Sequence, residues 1–481
     1  MAILFGDTSG SLRGKSHGGD QTLLGTDPTN TLYGDAGLDL LDRAIGGSDT
    51  LTTQGSGNLY GDAGRNISDH AIGGDDTLSI AFVSPINVNM YGDAGGNLSD
   101  HAAGGNDTFL ISGLLLAHQP IVMYGDAGAD MLGHAQAGND TFDFNTHDGN
   151  LVSYGDAGGN MSGHAAGGDD TFTARGPQNF YTVYGDAGGN MSDHAIGGND
   201  VFTESSIQGP ATFYGDAGAD MSGHAHGGND TFQAGIENES STFYGDAGGS
   251  MSDHAVGGDD TFMGSNDIGQ GGATCLAYGD ALTMSDNAQG GDDTLMGDHT
   301  NFFSPFFGPN TLVGDANTMS GNTRGGNDVL VGGDDAIPPP AGTYDNTLVG
   351  DAQTMSDNTR GGNDTLISGT GNDDMCGDAQ VMLGLAKGGD DSFTFNFNNA
   401  HDRIEDFGQG ISGVGPNWGT DHIDVSAVGI TDFSQLNISA FDPTTHESTI
   451  TFSPGNDVVV HSEEALRPQD FLFAPQDFLL A

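Results

Sequence analysis

The chain has 481 residues, with 67 acidic side chains against 10 basic ones and a formal charge of −57. That balance excludes nucleic acid as a partner, which needs basic patches, and disfavours an anionic membrane surface. Two cysteines exclude a disulfide framework, and no stretch is apolar and long enough to give a membrane span.

Residues 1–32 contain one imperfect half-repeat, Gly18-Gly19-Asp20-Gln21-Thr22-Leu23, and read as an N-terminal cap. The opening Met1-Ala2-Ile3-Leu4-Phe5-Gly6-Asp7 lacks the charged and apolar regions of a signal peptide. From residue 33 to 393 two Asp-bearing turns alternate twelve times. The first reads Tyr-Gly-Asp-Ala, as at Tyr33–Ala36, and the second Gly-Gly-(Asn/Asp)-Asp-Thr-(Phe/Leu), as at Gly73–Leu78. In eight repeats the two aspartates are 14 residues apart: Asp35 and Asp49, Asp62 and Asp76, Asp93 and Asp107, Asp126 and Asp140, Asp156 and Asp170, Asp186 and Asp200, Asp216 and Asp230, Asp246 and Asp260. In the last four the separation is 13: Asp280 and Asp293, Asp315 and Asp328, Asp351 and Asp364, Asp378 and Asp391.

A fixed period of this kind marks a solenoid, each repeat forming one coil stacked on the next. The arm inside a repeat is constant, whereas the return arm varies from 13 residues (Asp49 to Asp62) to 23 (Asp328 to Asp351). Constant length implies constant geometry, and variable length implies loops. Leu or Phe follows every second turn, and short apolar runs flanked by Gly-Asp turns read as strands. The fold class expected is therefore all-β, a parallel β-solenoid of about twelve rungs. At the ninth repeat the array changes subtype: His gives way to Asn287, Asn322 and Asn358, and Arg324 and Arg360 appear near the second turn. Cys275 and Cys376, about three rungs apart, are expected to be free and partly buried. Residues 394–481 have fewer acidic turns and runs such as Ser448–Phe452, and serve as a β-rich C-terminal cap.

Stacking places the twenty-four aspartates in two columns, so all of them are candidate metal ligands. Two like charges one strand spacing apart (about 4.8 Å) repel by about 0.9 kcal/mol even at the dielectric of water. Summed along two columns, that rivals a typical folding stability of about 5–15 kcal/mol. A chain disordered without metal and folded with it is expected. Calcium takes six to eight oxygens from carboxylates and carbonyls in flexible geometry, magnesium is stricter, and zinc wants His or Cys, absent from these turns. The bland alternative is that Asp and Asn merely cap tight turns through their own backbone.

Turns such as Gly362-Asn363-Asp364-Thr365-Leu366 followed by Gly369–Asp373, together with Asp402–Phe407, Asp421–Ala427 and Asp470–Phe473, resemble the repeats-in-toxin family of haemolysin-type calcium-binding proteins. The resemblance implies a parallel β-roll holding Ca2+ between successive turns. It also implies export by type I secretion machinery through an uncleaved signal in residues 394–481. The spacing of 13 or 14 between aspartates departs from that family's nine-residue repeat, so the site geometry is left open.

A second column, His70, His101, His134, His164, His194, His224 and His254, with Arg43 in the first repeat, lies in segments of the form Asn-Met-Ser-Asp-His-Ala. The spacing is consistent with one short helical turn facing inward. It reads either as a transition-metal or pH-sensitive face, or as a stacked, hydrogen-bonded ladder in which Asn can substitute. Leu114–Leu116 and the Phe302–Phe307 cluster mark partner contacts if exposed and core if buried.

With the array starting near residue 18 and no protease, hydrolase or phosphate-loop motif in the sequence, an enzyme is not expected. The function expected is a secreted, extracellular structural protein, folded by calcium outside the cell and assembling as a homo-oligomer or filament into a fibre, surface layer or biofilm matrix. The alternatives are an adhesin for a cell-surface glycan, an ice-binding face built on the Thr column (Thr77, Thr108, Thr171, Thr231, Thr261), or a carbohydrate-modifying enzyme on a β-helix.

Overall fold

The computed structural model describes the chain except for residues 82–86, 115–119, 148, 177–179, 206–208, 236–239, 265, 268–273, 301–309, 334–345, 398, 412–416 and 475–481. The Phe302–Phe307 cluster and Leu115–Leu116 lie outside the described residues. The fold is a parallel β-solenoid of about twelve turns, and the described residues contain no α-helix. The chain divides into two compact units, Met1–Gly258 and Asp259–Ala481, each taken by itself below.

In the first unit, strands on either side of each return arm pair in parallel, like residue over like. Leu32, Leu59, Met90 and Met123 stack on one side, and Leu51, Leu78, Phe109, Phe142 and Phe172 on another. A third side carries Leu40, Ile67, Leu98, Met131, Met161, Met191 and Met221 in register. These side chains are fully buried. The strands alternate as the pleat requires: in Phe180–Tyr184, Tyr181 and Val183 point inward. Stacking identical side chains keeps the interior close-packed in every rung, so one consensus serves the whole unit.

The outward Tyr column forms a continuous pile of rings. Phe5, Tyr33, Tyr60, Tyr91, Tyr124, Tyr154, Tyr184, Tyr214 and Tyr244 stack nearly parallel with centroids 4.7–5.3 Å apart. From Phe5 to Tyr214 each ring lies over the glycine after the Ala of the next rung: a Cβ added to Gly188 would collide with the Tyr154 ring and approach the Gly158 carbonyl to 2.8 Å. Where the column becomes Val313, Val349 and Cys376, that glycine has become Asn317, Gln353 and Gln380. The glycine is lost first, since Tyr278 keeps the ring while its own rung has Leu282 in the glycine place.

The first turn of the solenoid is a complete rung rather than the half-repeat expected. Ala2–Phe5 pairs with Thr29–Tyr33, and Thr22–Gly25 with Thr50–Thr53. Phe5-Gly6-Asp7-Thr8 is a variant first turn, with Thr8 bridged to Ala36. Its substitution of Phe for Tyr and Thr for Ala hides it from a consensus.

In the second unit Leu312, Leu348 and Met375 stack on one side, and Leu295, Leu330, Leu366, Phe393 and Ile423 on another. The missing residue of the shorter repeat falls between the Ala and the Met. There, Ala281–Met284, Ala316–Met319, Ala352–Met355 and Ala379–Met382 form regular parallel strands, where most rungs of the first unit have isolated bridges around a bend. The end of the unit is β-rich, as expected: His401–Phe407 pairs in parallel with Asn456–Ser462, which turns back antiparallel on Glu447–Ser453. Cys275 and Cys376 are buried thiols, hydrogen-bonded to Asp298 and Asp406.

The short helical turn expected in the His segments is absent. Asp69, Asp100, Asp193 and Asp253, just before their histidines, adopt positive φ (59 to 64°), and the Ala71 N–H bonds the Ser68 carbonyl at 3.2 Å. This is a tight turn with a left-handed residue, a conformation Asp tolerates better than most residues. It buries Met and Ala, as a helical turn would, but turns His out to solvent.

A packing prediction follows. Gly188→Ala should destabilise the folded protein by about 1–3 kcal/mol through overpacking against Tyr154. Adding Tyr154→Val should restore part of the loss in urea titrations.

Candidate metal centre

The two Asp-bearing turns of each repeat face one another across the coil. All twenty-four aspartates named from the sequence are at most 2 % exposed. None faces bulk water.

In the first column, each carboxylate accepts the N–H of the second glycine of its own rung's second turn: Asp35 from Gly47 at 2.7 Å, Asp62 from Gly74 at 2.7 Å, Asp93 from Gly105 at 2.8 Å, Asp351 from Gly362 at 2.6 Å. In the second column, one carboxylate oxygen accepts the backbone N–H of the equivalent residue in the preceding rung, which is Gln21 for Asp49 and an Asp in later rungs. Asp49 donates to Asp76 and Asp76 to Asp107, both at 2.6 Å, and Asp328 donates to Asp364 at 2.8 Å. The turn-capping role is therefore real, but it occupies only part of each carboxylate.

Asp126, Asp156 and Asp186 accept the glycine N–H on both oxygens, but many other column residues keep an oxygen with no donor. Asp49 Oδ2, Asp62 Oδ1, Asp76 Oδ2, Asp93 Oδ1, Asp107 Oδ2, Asp140 Oδ2, Asp170 Oδ2 and Asp200 Oδ2 in the first unit are buried without a hydrogen-bond partner. So are Asp293 Oδ2, Asp315 Oδ2, Asp328 Oδ2, Asp351 Oδ2, Asp364 Oδ2, Asp378 Oδ2 and Asp391 Oδ2 in the second. These oxygens converge on the glycines. A Cβ on Gly34 would meet both Asp49 Oδ2 and the Gly61 carbonyl, and one on Gly61 would meet Asp76 Oδ2 and the Gly92 carbonyl. A Cβ on Gly73 would meet Asp93 Oδ1 and Asp62 Oδ2. Glycine is required because any side chain would fill the space into which these oxygens point.

Acceptors thus crowd acceptors, and something electropositive must lie between them. Without it the carboxyls hold protons. Burial, reinforced by neighbouring carboxylates, raises Asp62, Asp76, Asp107, Asp140, Asp200, Asp315 and Asp328 well above the ordinary 3.8. Burial likewise lifts Asp35 to about 6, Asp49 to about 7 and Asp364 to about 8. The donor set consists of oxygens alone, which fits a hard cation and disfavours zinc. Among the described residues no group of three or more His, Cys, Asp or Glu side chains closes around one point. The donors come instead from carboxylates and glycine carbonyls of successive rungs.

Three further carboxylates belong to the columns, although the repeat consensus did not reveal them. Asp7 continues the first column, and its Oδ2 accepts the Gly19 N–H at 2.7 Å. Asp421 continues the second column, accepting from Asp391 at 3.0 Å and from Gly408 at 2.6 Å. Asp406 accepts the N–H groups of Gly377 and Asp378 and the thiol of Cys376. Gly419-Thr420-Asp421-His422-Ile423 carried the faint sequence signal for Asp421.

The His column is exposed and stacked. Rings from His70 to His194 lie nearly parallel with centroids 4.8–5.1 Å apart, and His194, His224 and His254 meet edge to face. No His–His hydrogen bond links them, which corrects the hydrogen-bonded ladder expected there; the Asn residues of the second unit do bond, at 3.4 Å (Asn322 to Asn287) and 3.3 Å (Asn358 to Asn322). Parallel rings aim their lone pairs alike rather than at a common metal. The outward Thr column has a second row beside it, Thr52, Ser79, Thr173 and Thr203, interrupted by Leu110, Asp143 and Gln233. A cavity of about 440 Å³ near the C-terminal end gathers Asp374, Glu405, Asp406, Trp418 and His461. Two of its carboxylates are engaged structurally: Arg403 Nε holds Glu405 at 2.6 Å, and Asp406 is bonded as above, whereas Asp374 Oδ1 is buried without a hydrogen-bond partner.

No family model matches the chain, and neither a curated protein nor a solved structure matches it.

The raised pKa values fix how the cation-free fold responds to pH. Unfolded aspartates titrate near 3.8, so stability is complete below that value and is lost as pH rises through about 6 to 8. In chelator, circular dichroism should therefore report β-structure at acid pH that melts out toward neutrality. A cation-free signal that strengthens with rising pH would contradict the burial of these groups.

Proposed function

We propose that the chain is a calcium-dependent structural scaffold, secreted unfolded and closed into a solenoid by Ca2+ outside the cell. The observation that carries this reading is the paired columns of buried carboxylates, in which second-column members such as Asp76, Asp107, Asp140, Asp328 and Asp391 keep one oxygen that no protein donor meets. Calcium would be held by the second-column carboxylate of one rung, the first-column carboxylates on either side and the intervening glycine carbonyls, between neighbouring rungs. When bound it supplies the positive charge that permits stacking; the protein residues supply only position. The resemblance to haemolysin-type repeats supports calcium over other hard cations, and it is the sole support for type I export.

Low calcium inside a cell would leave the columns mutually repelling and the chain fit for export. Higher calcium outside would drive folding, with ion binding contributing directly to folding free energy. Repetitive outer faces, with stacked His and Tyr columns running the length of the first unit, support side-by-side assembly into a fibre, surface layer or matrix.

Circular dichroism with calcium and then with excess chelator tests the folding step at pH 7. β-Structure should appear only with the ion, and equal order in both would remove the basis of the proposal. Electron microscopy with calcium tests the assembly step separately, where dispersed monomers at high concentration would count against it. Asp107→Asn should separate the two roles of a column residue. The amide keeps an acceptor for the Asp76 N–H, so the variant should be more ordered than the parent in chelator, while calorimetry should show it binding fewer calcium ions.

A further inference from the structure

The second unit carries a column that runs against the chemistry of the rest of the chain. Isolated parallel bridges place Gln289, Arg324, Arg360 and Lys387 over one another in successive rungs. The carbonyls of the three basic residues accept from glycines in the rung before, Arg324 from Gly290 at 2.9 Å, Arg360 from Gly325 at 2.8 Å and Lys387 from Gly361 at 2.8 Å, so the register is fixed by the backbone. Thus three of the chain's 10 basic residues stand about one strand spacing apart. In the first unit the same column is neutral: Ile45, Ile72, Ala103, Gln136, Ala166, Ile196, His226 and Val256.

All three cationic side chains are exposed. With 67 acidic residues in the chain, each would be expected to find a carboxylate, yet no described carboxylate lies in ion-pair reach of Arg324, Arg360 or Lys387. Three like charges held in register with no internal partner are a site for an external anion. Beside the lower two opens a hollow of about 540 Å³, lined by Arg360, Lys387, Asn358, Asn417, Leu383 and Leu385. Its amides can bond hydroxyls, and the exposed Leu383 and Leu385 give it an apolar lip.

We propose that this column binds an acidic polysaccharide, a linear chain whose carboxylate or sulfate groups recur at close to the rung spacing, with one sugar unit seated in the hollow. The column is one residue wide and flanked by exposed Asp292, Asp357 and Asp390. A narrow oligoanion can reach the cations between these carboxylates, whereas a flat anionic membrane would be pressed against them. The site goes beyond the scaffold reading and does not depend on which ion closes the coils.

The test uses the full chain in calcium and fluorescently labelled sulfated and uronate oligosaccharides, read by anisotropy. At least one should bind saturably, weakening with salt with a log–log slope of about −2 to −3, as for release of counterions from three contacts. Replacing Arg324, Arg360 and Lys387 together by Gln should weaken binding at least tenfold while leaving the circular dichroism unchanged, and Arg175→Gln should have no effect. A preference for sulfate or for uronate identifies the recognised group. The proposal is overturned if neither oligomer binds, if the triple variant binds as well as the parent (calcium then bridging acid to acid), or if neutral dextran, single-stranded DNA or anionic vesicles compete equally.

Discussion

Burying carboxylates over carboxylates at a strand spacing is the constraint from which the other features of this chain follow. Each column residue is nine-tenths or more removed from water, has like charges above and below, and receives at most part of its hydrogen-bonding need from backbone N–H groups. Such an arrangement is tolerable only if a proton or a cation neutralises it. The glycines flanking each Asp then have a reason, since the space beside Gly34, Gly61 and Gly73 is where carboxylate and carbonyl oxygens converge. So does the constant arm, because the two turns must face one another at one distance in every rung. The return arms carry no such duty and differ by up to ten residues, 13 against 23.

Much of this was legible in the sequence because the solenoid converts periodicity directly into stacking. A residue that recurs at a fixed place becomes a column, so the Asp columns, the Leu/Phe column and the parallel pairing could be read from the repeat. What escaped the reading depends on backbone conformation or on departures from consensus. The Met-x-x-His-Ala spacing matches a helix turn, but a positive-φ Asp produces the same burial of Met and Ala with a tight turn, and spacing alone does not distinguish them. The opening rung and Asp421 were missed because Phe5, Thr8 and His422 replace the residues that define the motif while keeping its geometry. The His rings stack as the column implied, but whether hydrogen bonds also join them lies in side-chain rotation, which spacing does not encode.

The change of subtype alters two neighbouring parts of the surface. From Phe5 to Tyr214 each ring lies against a glycine in the next rung; where the column has become Val and Cys, polar residues stand in that place, and Tyr278 already faces Asn317. The same segment loses one residue and straightens into strand, as at Ala316–Met319. Nothing in the buried Asp columns alters: Asp315 and Asp328 keep the partners that Asp62 and Asp76 have. The interior is held fixed by electrostatics while the exterior is free to acquire a different chemistry, including the Arg324–Arg360–Lys387 column.

The ends of the second Asp column bear on where a cation would sit. In the first unit the opening rung has Gln21 in place of Asp; its backbone N–H meets Asp49, and its Nε2 donates to Asp7 Oδ1 at 3.1 Å. A carboxylate there would have a neighbouring rung on one side only, and an amide removes the charge while keeping the shape. In the second unit the closing member is Asp421, and both of its oxygens receive N–H groups, so no orphan oxygen is left. A neutral or fully bonded group at each end, and half-bonded second-column carboxylates such as Asp76, Asp107 and Asp328 between them, are what a ligand shared between successive rungs would require. A ligand held wholly inside one coil would have no reason to treat the terminal coils differently.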